Sequence, residues 1–431
     1  TAFGAEVTGP FVFADGTLLY SLQHPDEEND EPFDTAGIGY FSGFRFEFDG
    51  DNDDFEELSV PETDDERRRV RGADGEYTLL ATGRDSIAGG TERLGVTTTP
   101  EGTEVTTANF EGTPHGAAGT NPDCNQFVPT ADDGTEGHLF TNWEHSPGNV
   151  TRIPLARTDD GEWAADLENA TNLANTEPFR AVGGTRINCY GDRSPWGTMI
   201  SSEENYAHAR LSRTATVGDI VEAGTGEGMV GACQFWNRPN PIGIGDALDG
   251  YYEESWSPEG LNNLSGVELL AYYLGADPSD GEDDTRPIGD VYPNPYRYGY
   301  HVDIREPAAE TPRPVKYYVM GRAAWEAPDV QTNERTVYGC SDGNAKGIYK
   351  FEAARPIPSY PDPMDIEGTL YAPLIATEPS GEGSPAQTAL SVEWLELGTA
   401  TNREVEAWIA EYDGVTQVDY LETHAETDWE S

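Results

Sequence analysis

The sequence has almost no lysine. Of its 26 basic residues only Lys316, Lys346 and Lys350 are lysines, and 79 acidic residues leave a formal net charge of -53 over 431 residues. Nothing resembles a basic stripe, so nucleic acid and anionic membranes are excluded as partners and divalent cations are the expected counter-ions. No stretch approaches the roughly 18 consecutive apolar residues of a membrane-spanning helix. Cysteine is scarce: Cys124, Cys189, Cys233 and Cys340 lie far apart and form no CxxC or CxxCH motif, which excludes zinc-ribbon and c-type haem readings. One disulfide is compatible with these four, and the sequence does not choose its pairing. A GxSxG elbow, an HExxH helix, a Walker loop and a dinucleotide fingerprint are also absent.

What is present is acid, spread from Glu6 to Glu430 rather than gathered in a tail. At ordinary ionic strength such a surface repels itself, whereas in molar salt the Debye length falls to roughly 3 Å and the repulsion is screened. Lysine carries a long apolar stem beneath its charge, a poor surface where salt already strengthens apolar association. Acid-rich and lysine-poor together read as a halophile. The chain begins at Thr1 with no charged or apolar leader, so it reads as processed, with an export signal removed and a place outside the cell or on its surface. Sequons at Asn149, Asn169 and Asn263 add little to that.

With 48 glycines and 30 prolines, turn signals recur throughout. Between them lie short β-rich runs: Gly16–Leu22, Gly39–Phe48, Tyr77–Ala81, His138–Asn142, Met199–Ser202, Val315–Met320, Thr336–Cys340 and Gly347–Phe351. Many short strands predict an all-β sandwich, barrel or propeller. One composition throughout residues 1–431 favours a single propeller domain, since radial repetition lets one unit outgrow the usual core. Helices are predicted near 265–275 and 402–412, the second with Val405, Trp408 and Ile409 at i, i+3, i+4 spacing. Acid-rich Asp26–Glu31 and Asp280–Asp284 read as inserted solvated loops, without the spacing of a calcium loop.

Three segments carry candidate chemistry. Thr141–Asn149 offers Glu144 and His145 at a strand end. Gly183–Tyr206 contains Cys189, a Pro-Trp-Gly turn, and the adjacent Glu203 and Glu204 followed by Asn205. Val319–Glu326 and the run after it offer Arg322, Glu326, Asp342 and Asn344. Adjacent carboxylates point to opposite faces within a strand and converge only at an end or bend. Converging carboxylates and amides suit calcium, which takes 6–8 oxygens, and a cysteine thiolate adds a soft ligand able to hold iron.

In their order these segments resemble the PhoX family of secreted calcium-dependent phosphatases. The matching residues are Asn142 and Glu144; Cys189, Pro195–Thr198 and Glu203–Asn205; Gly321, Arg322 and Glu326; and Asp342, Gly343 and Tyr349–Phe351. The C-terminal TLYAPL and VEWLELG runs match as well. The resemblance, to a member haloarchaeal in character, implies a six-bladed β-propeller with a few peripheral helices. It also implies hydrolysis of phosphate monoesters at a calcium and iron cluster. On it, Glu144, Cys189, Glu203, Glu204, Glu326 and Asp342 are metal ligands, and Arg322 with Glu326 act directly in catalysis, Arg322 on the phosphate. Ala324 and Trp325 stand where many members carry a basic residue and a histidine, which removes part of a phosphate clamp. The alternative function is therefore a non-catalytic cell-surface or self-assembling protein on the same scaffold, with copies of itself as partners and calcium as a structural ion.

Overall fold

The computed structural model describes residues 2–50, 56–110, 114–205, 267–276, 293–343, 346–375 and 390–413. These build four larger antiparallel sheets, each in simple chain order, because short glycine-punctuated runs pair with their nearest neighbours. The first holds β1 (Glu6–Val12), β2 (Leu18–Gln23), β3 (Gly37–Ser42) and β4 (Glu76–Thr82). After a two-stranded ribbon, β5 (Ser86–Ile87) and β6 (Glu92–Arg93), come β7 (Pro122–Pro129), β8 (Glu136–Trp143), β9 (Asn149–Arg157) and β10 (Trp163–Ala165), with β11 (Thr171–Asn172) also on β9. The third holds β12 (Asn188–Arg193), β13 (Met199–Glu203), β14 (His301–Arg305) and β15 (Arg313–Lys316). The last holds β16 (Trp325–Val330), β17 (Thr336–Ser341), β18 (Ile348–Ala353), β19 (Glu367–Ile375) and β20 (Val392–Thr401). Four short helices accompany them: α1 (Asp64–Arg67), α2 (Glu177–Ala181), α3 (Val267–Tyr273) and α4 (Asn402–Ala410). The described protein is thus mostly β, and none of its sheets closes on itself.

The core is divided into apolar layers between consecutive sheets. Leu19 and Ile38 of the first, with Phe13 just after β1, meet Phe127, Leu139 and Ile153 of the second. Val128, Phe140 and Val150 of the second meet Met199 and Ile304 of the third. Ile200 of the third, with Tyr317 just after β15, meets Val337 and Phe351 of the fourth. The leading strands follow the same order, β7 packing on β1 and on β12, and β12 on β16. Strands covered on both faces lose polar alternation, which is why β2 reads LLYSLQ with every residue after Leu18 buried.

The predicted strands form, with two differences. Gly39–Phe48 stops at Ser42, where Gly43 turns to φ +82. Val315–Met320 divides into the end of β15 and a 3-10 turn at Tyr318–Met320, closed by Gly321 at φ +89. Both predicted helices form, as α3 and α4. Thr401 caps α4 through Glu404 N, and Glu404 returns a carboxylate to Thr401 N (2.8 Å). Ile409 is buried but Trp408 is 57% exposed, so the apolar stripe is narrower than its spacing predicts.

Cys124, Cys189 and Cys340 are free. Asn149 is fully buried, its Nδ2 donating to Asn172 Oδ1 (2.8 Å), so its sequon is closed to modification. Asp280–Asp284, Cys233, Asn263 and Asn344 lie outside the described residues. No helix among the described residues is long and apolar enough to cross a membrane.

Candidate metal centre

All four leading strands carry a register shift, that of β1 lying within the ladder between Thr8 and Phe11, and in the other three it follows directly on the first pair. In β7 the register shifts between Pro122 and Asn125, in β12 between Asn188 and Gly191, and in β16 between Trp325 and Pro328. A β-bulge re-aims the side chain it carries. The first residue inside each bulge is Asp123, Cys189 and Glu326 respectively. The second strand of each sheet adds the residue just past the partner of the pre-bulge position: Glu144 after Trp143, Glu204 after Glu203, and Asp342 after Ser341. Backbone bonds tie these in matching fashion, Glu144 N to Asn121 O, Glu204 N to Ile187 O and Asp342 N to Ala324 O. One local geometry, used three times, gathers five carboxylates and a thiol at one end of three sheets.

Four of these carboxylates and the thiol bring their ligand atoms together. Asp123, Glu144 and Cys189 lie within 4.8 Å of one another, as do Cys189, Glu204 and Glu326. His115, Glu144 and Glu204 form a third such group. Cys189 Sγ stands 3.2 and 3.1 Å from the two Glu326 oxygens. Asn142 Nδ2 donates to the Cys189 carbonyl (2.6 Å) and to the Tyr190 carbonyl (3.1 Å), fixing the bulge that carries the thiol. Gly9 of β1 adopts φ +56 against this region. A Cβ there would lie 2.1 Å from the Asp123 carbonyl, so the close approach of β1 requires glycine.

The electrostatics are those of acids crowded together out of water. Burial and then the Glu144 charge push Asp123 up to about 7, and burial with Glu144 and Glu326 pushes Glu204 up to about 8. For Asp123 that rise from 3.8 is worth roughly 4 kcal/mol against ionisation. Glu144 and Glu326 are also raised, chiefly by burial, and the Cys189 thiol is pushed far up by burial and the surrounding carboxylates. Arg186 relieves Glu204 in part. The Asn142 side-chain oxygen, in a fully buried residue, has no hydrogen-bond partner. Crowded carboxylates, a thiol and an orphaned amide oxygen fit hard cations together with a softer transition metal.

The family model for alkaline phosphatase PhoX matches residues 164–426, more than half of the chain. The chain belongs to the PhoX alkaline phosphatase family. No curated protein and no solved structure matches it. The PhoX family is metal-dependent, and the structure has residue groups able to hold ions. The matched segment of this PhoX chain carries Cys189, Glu204, Glu326 and Asp342, while Asp123, His115 and Glu144 precede it.

The residues singled out from sequence separate into two sets. Glu144, Cys189, Glu204 and Glu326 come together, with Asp342 exposed at their margin and acting on Glu204 and Glu326 by charge. Glu203 does not join them. As the last residue of β13 it points the other way, fully buried, and Lys316 Nζ donates to its Oε1 (2.9 Å). Arg186 N and Tyr300 N also donate to it. Arg322 precedes β16, so strand alternation does not orient it; its Nε donates to the Tyr298 carbonyl (3.0 Å) and its guanidinium lies 5.5 Å over the Tyr296 ring.

Trp325 is a packing residue, its ring tilted against that of His301 with centroids 4.8 Å apart and its Nε1 donating to Gly321 O. The Pro-Trp-Gly-Thr turn is equally structural: Trp196 Nε1 and Thr198 Oγ1 donate to buried Asp303 on β14. Sequence reasoning missed Asp123 and His115. Asp123 carried no signal in the sequence, because its equivalence to Cys189 lies in the bulge that strand register defines.

Proposed function

We propose that this chain is a salt-adapted, metal-dependent phosphomonoesterase, exported from its cell and working outside or on the surface, with calcium and iron as its ions. The observation that carries the reading is the threefold delivery of Asp123, Cys189 and Glu326 from equivalent bulges in a PhoX-family chain. Its sheets are read as blades of one propeller, because consecutive leading strands pack side by side and the apolar layers lie between sheets.

Bound cations would neutralise phosphoryl charge and orient the attacking oxygen. Asp123, Glu144, Glu204, Glu326 and Asn142 supply oxygens for calcium, and Cys189 supplies the soft donor for iron. Asn142 holds the Cys189 bulge, and Arg322 is the proposed phosphate contact, held in place by the Tyr298 carbonyl. The halophile reading rests on the net charge of -53 and the three lysines.

Purified protein in molar salt, supplied with calcium and iron, should hydrolyse a chromogenic phosphate monoester. At about 0.1 M salt, where screening weakens, both turnover and the circular dichroism of the fold should be lost. A folded, metal-supplied protein without turnover would sink the enzymatic reading. An unchanged fold and turnover in dilute buffer would sink the salt adaptation.

A further inference from the structure

Glu144 is reached from the first sheet, which precedes the family-matched segment. Gln23, the last residue of β2, is 2% exposed, and its Nε2 donates to Glu144 Oε2 at 2.7 Å. The contact joins the ends of two sheets, because β1 and β2 pack on β7. On the backbone side Glu144 is fixed by Asn121 O (2.8 Å), so the amide of Gln23 sets the remaining freedom of the carboxylate. A neutral amide is the donor suited to this place. Asp123, Glu204, Glu326 and Cys189 crowd Glu144, and an arginine or lysine would compete with the cations for its charge, whereas an amide occupies one oxygen without neutralising it.

We infer that Gln23 is a positioning residue for the metal centre: it holds Glu144 Oε2 and thereby aims the other oxygen at the ion, which makes the first sheet part of the machinery. Outer partners of this kind orient ligating carboxylates, and their loss typically costs about 10–100-fold in metal affinity. The inference rests on the reading of the cluster as a cation site.

The test is calorimetric titration of calcium alone into chelator-stripped full-length protein in molar salt, with the melting temperature of the stripped protein recorded alongside. Gln23→Met keeps length and removes the donor, and Gln23→Leu removes it with a shorter apolar side chain, so either one carries the test if the other fails to fold. Ser21→Ala is the packing control: it breaks a buried bond across the same interface, Asn125 Nδ2 to Ser21 Oγ (2.7 Å), without touching Glu144. The expected result is calcium binding weakened about tenfold or more in both Gln23 variants. Ser21→Ala should lower the melting temperature and bind calcium as the parent does. Parent-like binding in the Gln23 variants, or equal weakening in Ser21→Ala, overturns the inference. Absence of calcium binding in the parent overturns the cation-site reading and the inference with it.

Discussion

Glu326→Gln should lower turnover of a phosphate monoester about a hundredfold or more, in molar salt with calcium and iron supplied. Glu326 leaves the β16 bulge with both oxygens against Cys189 Sγ, at 3.2 and 3.1 Å. The amide keeps the shape and removes the charge that holds an ion, and a misplacement of about 1 Å at a reacting centre is enough for a loss of that size. Steady-state kcat/KM, with circular dichroism to confirm the fold, is the readout. Ala324→Arg is the complementary change, since it adds a cation where the family resemblance leads one to expect it. Turnover absent in the parent and present in Ala324→Arg would identify a scaffold that has lost its clamp. Undiminished turnover in Glu326→Gln would remove Glu326 from the site.

The second large effect concerns stability. Lys316→Met should destabilise the fold by about 3–5 kcal/mol, because it leaves the carboxylate of Glu203 buried without its partner. Both side chains are fully buried, and burial pushes Glu203 up and Lys316 down while each draws the other back. Lys316 Nζ also donates to the Arg297 carbonyl (2.8 Å) and lies 4.6 Å over the Tyr298 ring, so the ammonium joins β15 to the approach to β14. Replacing Glu203 as well with leucine should recover only part of the loss, since Arg186 N and Tyr300 N would then lose their acceptor. Denaturant unfolding at constant salt measures both variants. A loss of under about 1 kcal/mol in Lys316→Met would show that the pair contributes no more than a surface one.

Strands were legible because short apolar runs between glycine turns can pair only with their neighbours, and the observed sheets do follow chain order. The helix of Asn402–Ala410 was legible from its apolar spacing, although Trp408 faces out because a helix of nine residues buries only a narrow stripe. The site was partly legible. Cys189, Glu204 and Glu326 could be found as motifs, but the equivalence of their positions exists only in strand register, which residue types do not encode. Adjacent Glu203 and Glu204 left two arrangements open. The strand persists through Glu203, so the pair divides between a buried ion pair with Lys316 and the metal centre. Asp123 escaped notice because a lone aspartate before an apolar run looks like one more surface acid in a chain with 79 acidic residues.

Whether the cluster holds cations is decided by the melting temperature with and without a chelator, at about pH 6 and about pH 9 in constant molar salt. Without cations Asp123 is raised from 3.8 to about 7 and Glu204 from 4.5 to about 8. Between the unfolded and folded values the native state holds more protons than the unfolded one. Stability of the stripped protein therefore falls as pH rises from about 4 to about 8. Bound cations stabilise the ionised carboxylates and cancel that loss. Chelation should lower the melting temperature at both pH values, and by more at the higher one. A melting temperature indifferent to chelation at both would contradict it, and would leave the carboxylates of three bulged sheets without an ion to hold.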